Sequence, residues 1–511
     1  MVRLKTIGAV SCAAIMALAG GVWARQTSPA TQPGETVPTP AIPPRKRGVP
    51  PPKPAPAPQS VPAQPAPAPA TPATPTSPAQ QPSPATRPAQ PVVQPTQKRE
   101  APTKGPYLEV SQERDYTLTA TILVKSDNPD MKQEFVDPFS GKTEQMPLVK
   151  PFEFSALGFV FPMVTSTASS ELVESEYRGV LKLNGEEVDR DREILKGYPG
   201  GTYLARWDAG KAGTTTVCRQ VQLDLSAPMR CGQTTLHEAE AMKVPWPKGP
   251  WPEAAVSTLK PQLYIETGVD GTGHVLPYDN KLVDNAVKQW LREANIRDAA
   301  KAPPVMVAKA IAGGMWRDVQ PFGEGLDFAR TGEWAGINLL PPAETLRLKR
   351  GSEHDITVLL AAAYKKAGLP TRTVIGYDVG KDDSKFLKKG SKENRLRSWV
   401  EFCLYDEAKN TINWVPVDVV RMRKTSTRPT GIERAWKYFG THDELNTVAP
   451  FALHFHPPTD VVRYGAPAFW GWFVTPQAPK AAEQLIRFTA TITPKRGGEP
   501  KKKEEGKKGG Y

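Results

Sequence analysis

Pro342-Ala-Glu-Thr-Leu-Arg-Leu-Lys-Arg-Gly-Ser-Glu-His-Asp-Ile-Thr-Val-Leu-Leu360 decides how this 511-residue chain is read. Within it, Ser352-Glu-His-Asp355 is a variant of the capping box, with Ser352 as N-cap and Asp355 three places on. The spacing predicts a helix from Ser352 to Ala367. Gly368 follows, a residue suited to the left-handed conformation that ends helices. Glu353 falls in the first turn, where a carboxylate sits favourably in the helix dipole. Beyond it, Arg372–Tyr377, Arg397–Tyr405 and Thr411–Val417 alternate like strands.

Upstream, Leu282–Leu291 places Val283, Val287, Trp290 and Leu291 on one helical face, and Pro304–Trp316 reads as a second helix. Before these the character is different. Thr117–Val124, Tyr177–Leu183, Thr202–Trp207 and Thr214–Leu223 are β-branched and alternating, separated by Gly, Pro, Asn and Asp clusters. The expected organisation is α+β. A β-rich, sandwich-like domain over 105–262 precedes a mixed domain over 263–475, and 476–511 holds a final strand and a basic tail expected to be disordered.

The order of motifs carries a resemblance. A Thr345-Leu346 pair precedes Arg350-Gly-Ser-Glu353. The helix leads into Ala367-Gly-Leu-Pro-Thr-Arg-Thr-Val-Ile-Gly-Tyr377, then Arg397-Ser-Trp-Val-Glu401, Trp414-Val-Pro-Val-Asp418 and Lys437-Tyr-Phe-Gly-Thr-His442. Over about 275–475 this resembles the core of bacterial transglutaminase-like domains, whose fold is papain-like. In that family a cysteine at a helix N-terminus attacks an amide carbonyl, a histidine takes its proton and an aspartate orients the histidine. The resemblance puts Glu353 on the cysteine position, Arg397 on the histidine and Asp418 on the aspartate. Only Asp418 is the family residue. Glutamate supplies no thiolate, and arginine holds its proton near neutral pH. No confident catalytic residue is therefore assigned. The expected replacement is an ion-pair cluster in which Arg397 forks between Glu353 and Asp418. A site where Arg397 recognises a carboxylate or phosphate is the alternative.

Other candidates rank lower. Trp399, Glu401 and Trp414 are possible cleft-lining residues, as is the aromatic run Ala468–Phe473. His454 and His456 lie two apart, but no third ligand is evident, so no metal and no cofactor is expected. A carboxylate-pair hydrolase using Glu353 and Asp418 would need one raised pKa, against which Arg397 works. Cys218 and Cys231 are expected to pair across a hairpin folded near Asp224–Leu225, just before the turn-prone Ser226-Ala-Pro228, leaving Cys403 as a buried apolar residue.

The termini speak about place. Arg3 and Lys5, an apolar run from Ile7 to Leu18 and Val22-Trp23-Ala24 read as a signal peptide over 1–24, with an uncleaved anchor as the alternative. Residues 25–104 are rich in Pro, Ala, Thr and Gln and bury too little apolar surface to fold, so a disordered linker is expected. Nine basic and two acidic residues lie in that linker, and seven basic and three acidic in the tail from Lys495. With Arg3 and Lys5 they account for the whole net charge of +13, leaving 106–494 near neutral. A nucleic-acid-binding domain would carry its basic stripe on the fold, so no nucleic-acid partner is expected. Membrane contact is expected only through the signal or the basic tail. The function expected is that of an exported (periplasmic or extracellular) pseudoenzyme that binds or scaffolds an envelope protein, peptide or glycan. The rival is an active amide-bond enzyme using unorthodox residues.

Overall fold

The computed structural model describes residues 103–492, except 150, 189–192, 197–201, 211–212, 263–264, 267–280, 330, 381–395, 456–468 and 476–481. The signal segment, nearly all of the linker, the end of the chain and His456 therefore lie outside the described residues.

The first region is built of strands. Its strands include β1 (Thr103–Lys104), β2 (Leu108–Lys125), β3 (Asp127–Val136), β4 (Thr143–Val149), β5 (Ala156–Met163), β6 (Arg178–Leu183), β7 (Tyr203–Ala209) and β8 (Gln220–Leu236). Alternation decides which face of β2 is buried: Tyr116, Leu118, Ala120, Ile122 and Val124 point inward, as the two-residue period of a strand requires. β2 and β8 pair along most of their lengths, with β6 on the far side of β8. The last two residues assigned to the linker, Thr103 and Lys104, form β1.

The second region contributes α1 (Lys281–Glu293), α2 (Pro304–Asp318), β9 (Trp334–Ile337), α3 (Pro342–Leu348), α4 (Glu353–Lys366), β10 (Thr371–Asp378), β11 (Leu396–Asp406), β12 (Thr411–Val417) and α5 (Val419–Thr425). β13 (Val448–Ala452), β14 (Gly471–Thr475) and β15 (Glu483–Ile492) complete the chain. A five-stranded sheet runs in the order β1-β12-β11-β10-β13. β9 and β15 extend the β2–β8 sheet, and β14 pairs with β5. The sheets begun by the first region are thus finished by strands from after residue 330. Among the described residues no helix is long and apolar enough to cross a membrane.

α4 sits at the centre of the second region, with all but its ends buried. Its start carries the complete capping box: Asp355 N–H donates to Ser352 Oγ at 3.2 Å, and Ser352 N–H donates to Asp355 Oδ2 at 2.8 Å. At its end Gly368 adopts φ +82°, Gly368 N–H donates to the Lys365 carbonyl and Leu369 N–H to the Tyr364 carbonyl. That is the Schellman arrangement. The sequence therefore fixes both ends of the helix locally. α2 packs closely on α1 because Gly314 is small; a Cβ there would lie 2.1 Å from Trp290 Cγ.

The expected disulfide is not formed. Cys218 and Cys231 are free and buried. The chain does not turn at Asp224–Leu225, because β8 runs straight through it, with Asp224 opposite Thr121 on one side and Val180 on the other. Pro228 misleads as a turn signal. Its missing N–H falls between two partners on one edge, β6 up to Ser226 and the short strand Ser170–Leu172 from Met229, which is where a sheet tolerates proline. Extended chain at about 3.3 Å per residue separates the two thiols by on the order of 40 Å.

Candidate active site

Glu353, Arg397 and Asp418 meet. Glu353 opens α4, Arg397 is the second residue of β11, and Asp418 follows β12 and caps α5, accepting from Arg421 N–H at 2.8 Å. Arg397 Nε lies 3.1 Å from Glu353 Oε1, and its Nη2 2.7 Å from Asp418 Oδ2. Glu353 Oε1 also accepts the Ser398 N–H at 2.9 Å, which ties the helix start to the strand.

Two further carboxylates complete the cluster. Arg397 Nη1 faces Asp378 Oδ2 at 3.5 Å and Glu444 Oε2 at 3.8 Å. Arg421 approaches the same two, at 3.8 and 3.2 Å. All three guanidinium nitrogens of Arg397 face acid. The negative charge around Arg397 weighs against its use as a receptor for a ligand carboxylate or phosphate. Two arginines face four carboxylates.

His442 was named in the sequence only as part of a motif. It is fully buried, with Nε2 3.5 Å from Asp418 Oδ2 and Nδ1 accepting the Glu444 N–H at 3.3 Å. That second bond places the imidazole proton on Nε2, directed at Asp418. Burial lowers the pKa of His442, partly offset by Asp418, so it is neutral. Neither nitrogen has a lone pair available to act as a base.

The acids split. Burial raises the pKa of Glu353, and the charge of Arg397 offsets only part of this. Burial would also raise Asp418, but the His442 hydrogen bond and the Arg397 charge outweigh it and hold Asp418 well below the usual carboxylate range. Arg397 is raised despite its burial by Glu353, Asp418 and Asp378.

Beside the cluster lies a buried polar group that the sequence did not suggest. His354 Nδ1 and Thr357 Oγ1 are each 3.0 Å from Ser398 Oγ. His354 is fully buried, its Nε2 has no hydrogen-bond partner among the described residues, and burial takes its pKa down to about 4. Ser398, at 1% exposure, is out of reach of a substrate.

The residues assigned to a cleft lie elsewhere. Trp399 and Glu401 are buried at 1% and 0% exposure, so they do not line an open groove. Glu401 is a hub instead: Arg372 Nη2 donates to it at 2.7 Å, Trp399 Nε1 at 3.2 Å and Ala168 N–H at 3.0 Å. Trp414 is half-buried beneath the Arg372 guanidinium, 4.3 Å from its ring centre. Of the 468–473 run, Phe469, Trp470 and Trp472 are core, with Trp470 stacked on Phe159. His454 is buried.

Residues 333–419 match the family model of the transglutaminase-like superfamily. The chain carries a transglutaminase-like domain. The match spans α4, β10, β11 and Asp418, and so takes in Glu353, Asp378, Arg397 and Asp418. Among solved structures the domain is similar to one described as "a Putative Cysteine Protease from Cytophaga hutchinsonii", with 12% identity, a TM-score of 0.41, and coverage of 75% of this chain and 92% of that one. It is also similar to the periplasmic domain of TgpA from Pseudomonas aeruginosa, with 12% identity, a TM-score of 0.24, and coverage of 53% of this chain and 100% of that one. A comparison with curated proteins gave no significant match.

Proposed function

We propose that this chain is an exported transglutaminase-like pseudoenzyme that binds or scaffolds a peptide, glycan or protein in the cell envelope. The observation that carries the reading is the occupant of the nucleophile position: Glu353 at the start of α4, held by Arg397 Nε and the Ser398 N–H. A nucleophile for acyl transfer must be free to attack, and a base must be within its reach. Glu353 is engaged, and Arg397 is permanently charged. The thiols support the same reading. Burial raises the pKa of Cys218 to about 11 and pushes Cys231 and Cys403 higher still, whereas a reactive thiol is exposed and depressed. Export rests on the basic start, apolar run and Val22-Trp23-Ala24.

The experiment is labelling of the full chain by an electrophilic glutamine-peptide mimic that captures cleft thiolates. The reading expects no adduct at the cleft. A single saturable adduct that a glutamine peptide protects against would overturn it. Intact-mass measurement of exported material tests the placement; the expected mature chain begins at Arg25.

A further inference from the structure

We propose that the ribbon of β3 and β4 joins a second copy of this chain through the free edge of β3. Among the described residues these two strands form a sheet of their own, and every residue from Lys132 to Lys142 except Asp137 and the undescribed side chain of Gln133 is exposed. The turn is firmly built: Asp137 N–H donates to the Lys142 carbonyl, and Asp137 Oδ1 accepts the Phe139 N–H at 2.9 Å. Phe135, Val136, Phe139 and Met146 all stand in solvent, Phe139 at 98% exposure. A lone two-stranded ribbon is marginal in water and gains from an added strand.

The hydrogen-bond phase shows which edge is open. Because Asp137 N–H points to β4, alternation turns the N–H and C=O groups of Phe135 and Gln133 toward β4, and those of Lys132, Glu134 and Val136 outward. On β4, Pro147 lies opposite Lys132, so it too has an outward phase. Its missing N–H blunts that edge. The edge of β3 keeps its donors.

Charge then selects both partner and register. In an antiparallel pair of identical edges, outward residues must face outward residues. That allows Lys132 opposite Lys132, Glu134 opposite Glu134, or Lys132 opposite Glu134. Only the last pairs unlike charges, and two-fold symmetry makes it twice, with the backbones of the two Gln133 residues on the axis. The edge is complementary to itself. A contact of this length falls below the size of stable interfaces, so the association is weak and rises with concentration.

Sedimentation equilibrium of the full chain over a wide concentration range tests this. Wild type is expected to show a monomer–dimer equilibrium. Lys132→Glu or Glu134→Lys, which place like charges opposite twice, each weaken it by about tenfold. The double swap Lys132→Glu with Glu134→Lys restores it, a rescue that general surface charge does not produce. Phe139→Ser leaves it unchanged. A wild type that stays monomeric throughout, a double swap no better than the singles, or association lost only in Phe139→Ser overturns the proposal. So does a monomer that instead sediments with phosphatidylglycerol vesicles.

Discussion

Arg372 on β10 and Arg397 on β11 both neutralise buried carboxylates in one sheet, yet their surroundings differ. Arg372 faces its register partner Glu401, at 4% and 0% side-chain exposure, with its guanidinium lying over Trp414. Arg372 Nε and Nη2 both donate to Glu401 Oε2, and the other oxygen of Glu401 is satisfied by Ala168 and Trp399. Arg397, four residues before Glu401 on the same strand, faces four carboxylates, three of them at 17–25% exposure. The first is sealed from solvent on both sides of the pair, as a structural pair should be. The second is crowded, with two arginines among four carboxylates, and lies where the family resemblance leads one to expect the catalytic residues. On the proposed reading, the difference teaches that a lost catalytic site need not become apolar: its polar shell closes around a cation.

The largest expected effect sharpens the contrast. Arg397→Ala should cost about 5 kcal/mol in denaturant unfolding, since it strands several acids together. Arg372→Met strands Glu401, which keeps its bonds from Ala168 and Trp399, and leaves an apolar body over Trp414, so about 3 kcal/mol is expected. Equal losses would erase the distinction drawn between the two sites.

Acid is the next lever. His354 has a folded pKa of about 4 against roughly 6.5 unfolded. The unfolded state therefore binds the proton first as pH falls, and stability declines from pH ~6.5 to ~4 by about 3 kcal/mol. His442, also lowered, adds in the same direction. Glu353 acts oppositely, because its raised pKa makes protonation on mild acidification favourable to the fold. Asp418 keeps its contribution until pH falls below the usual carboxylate range. His354→Gln should flatten the decline between pH ~6.5 and ~4; an unchanged slope would show that His354 is already protonated in the fold.

A smaller effect tests inheritance. Glu353→Cys with Arg397→His should be more stable than Arg397→Ala by about 1–2 kcal/mol, because a thiol and an imidazole suit the old geometry. Iodoacetamide reacting with the new thiol well below pH 8.5 would show that the start of α4 still activates it. Reaction only at higher pH would show that this property is gone.

Much of this was legible in the residues. Both helix caps, the three strands and the meeting of Glu353, Arg397 and Asp418 follow from local chemistry and motif order. Asp378, Arg421 and Glu444 were not legible, because they enter from other elements and carry no local pattern. His442 had a motif but no role until the backbone of Glu444 fixed its tautomer. Trp399 and Glu401 were misplaced because an alternating strand does not reveal that both of its faces are covered; every residue of β11 is buried. The thiol pairing failed for a related reason, since Pro228 looks like a turn until both neighbours of β8 are known.

A double-mutant cycle between Glu353 and Arg397, using Glu353→Ala, Arg397→Ala and the double variant, tests the central claim most directly. A buried structural ion pair predicts a coupling energy of about 2–3 kcal/mol. A coupling below about 0.5 kcal/mol, the value of a solvated surface pair, would contradict the account and return Glu353 to the list of side chains free to do chemistry.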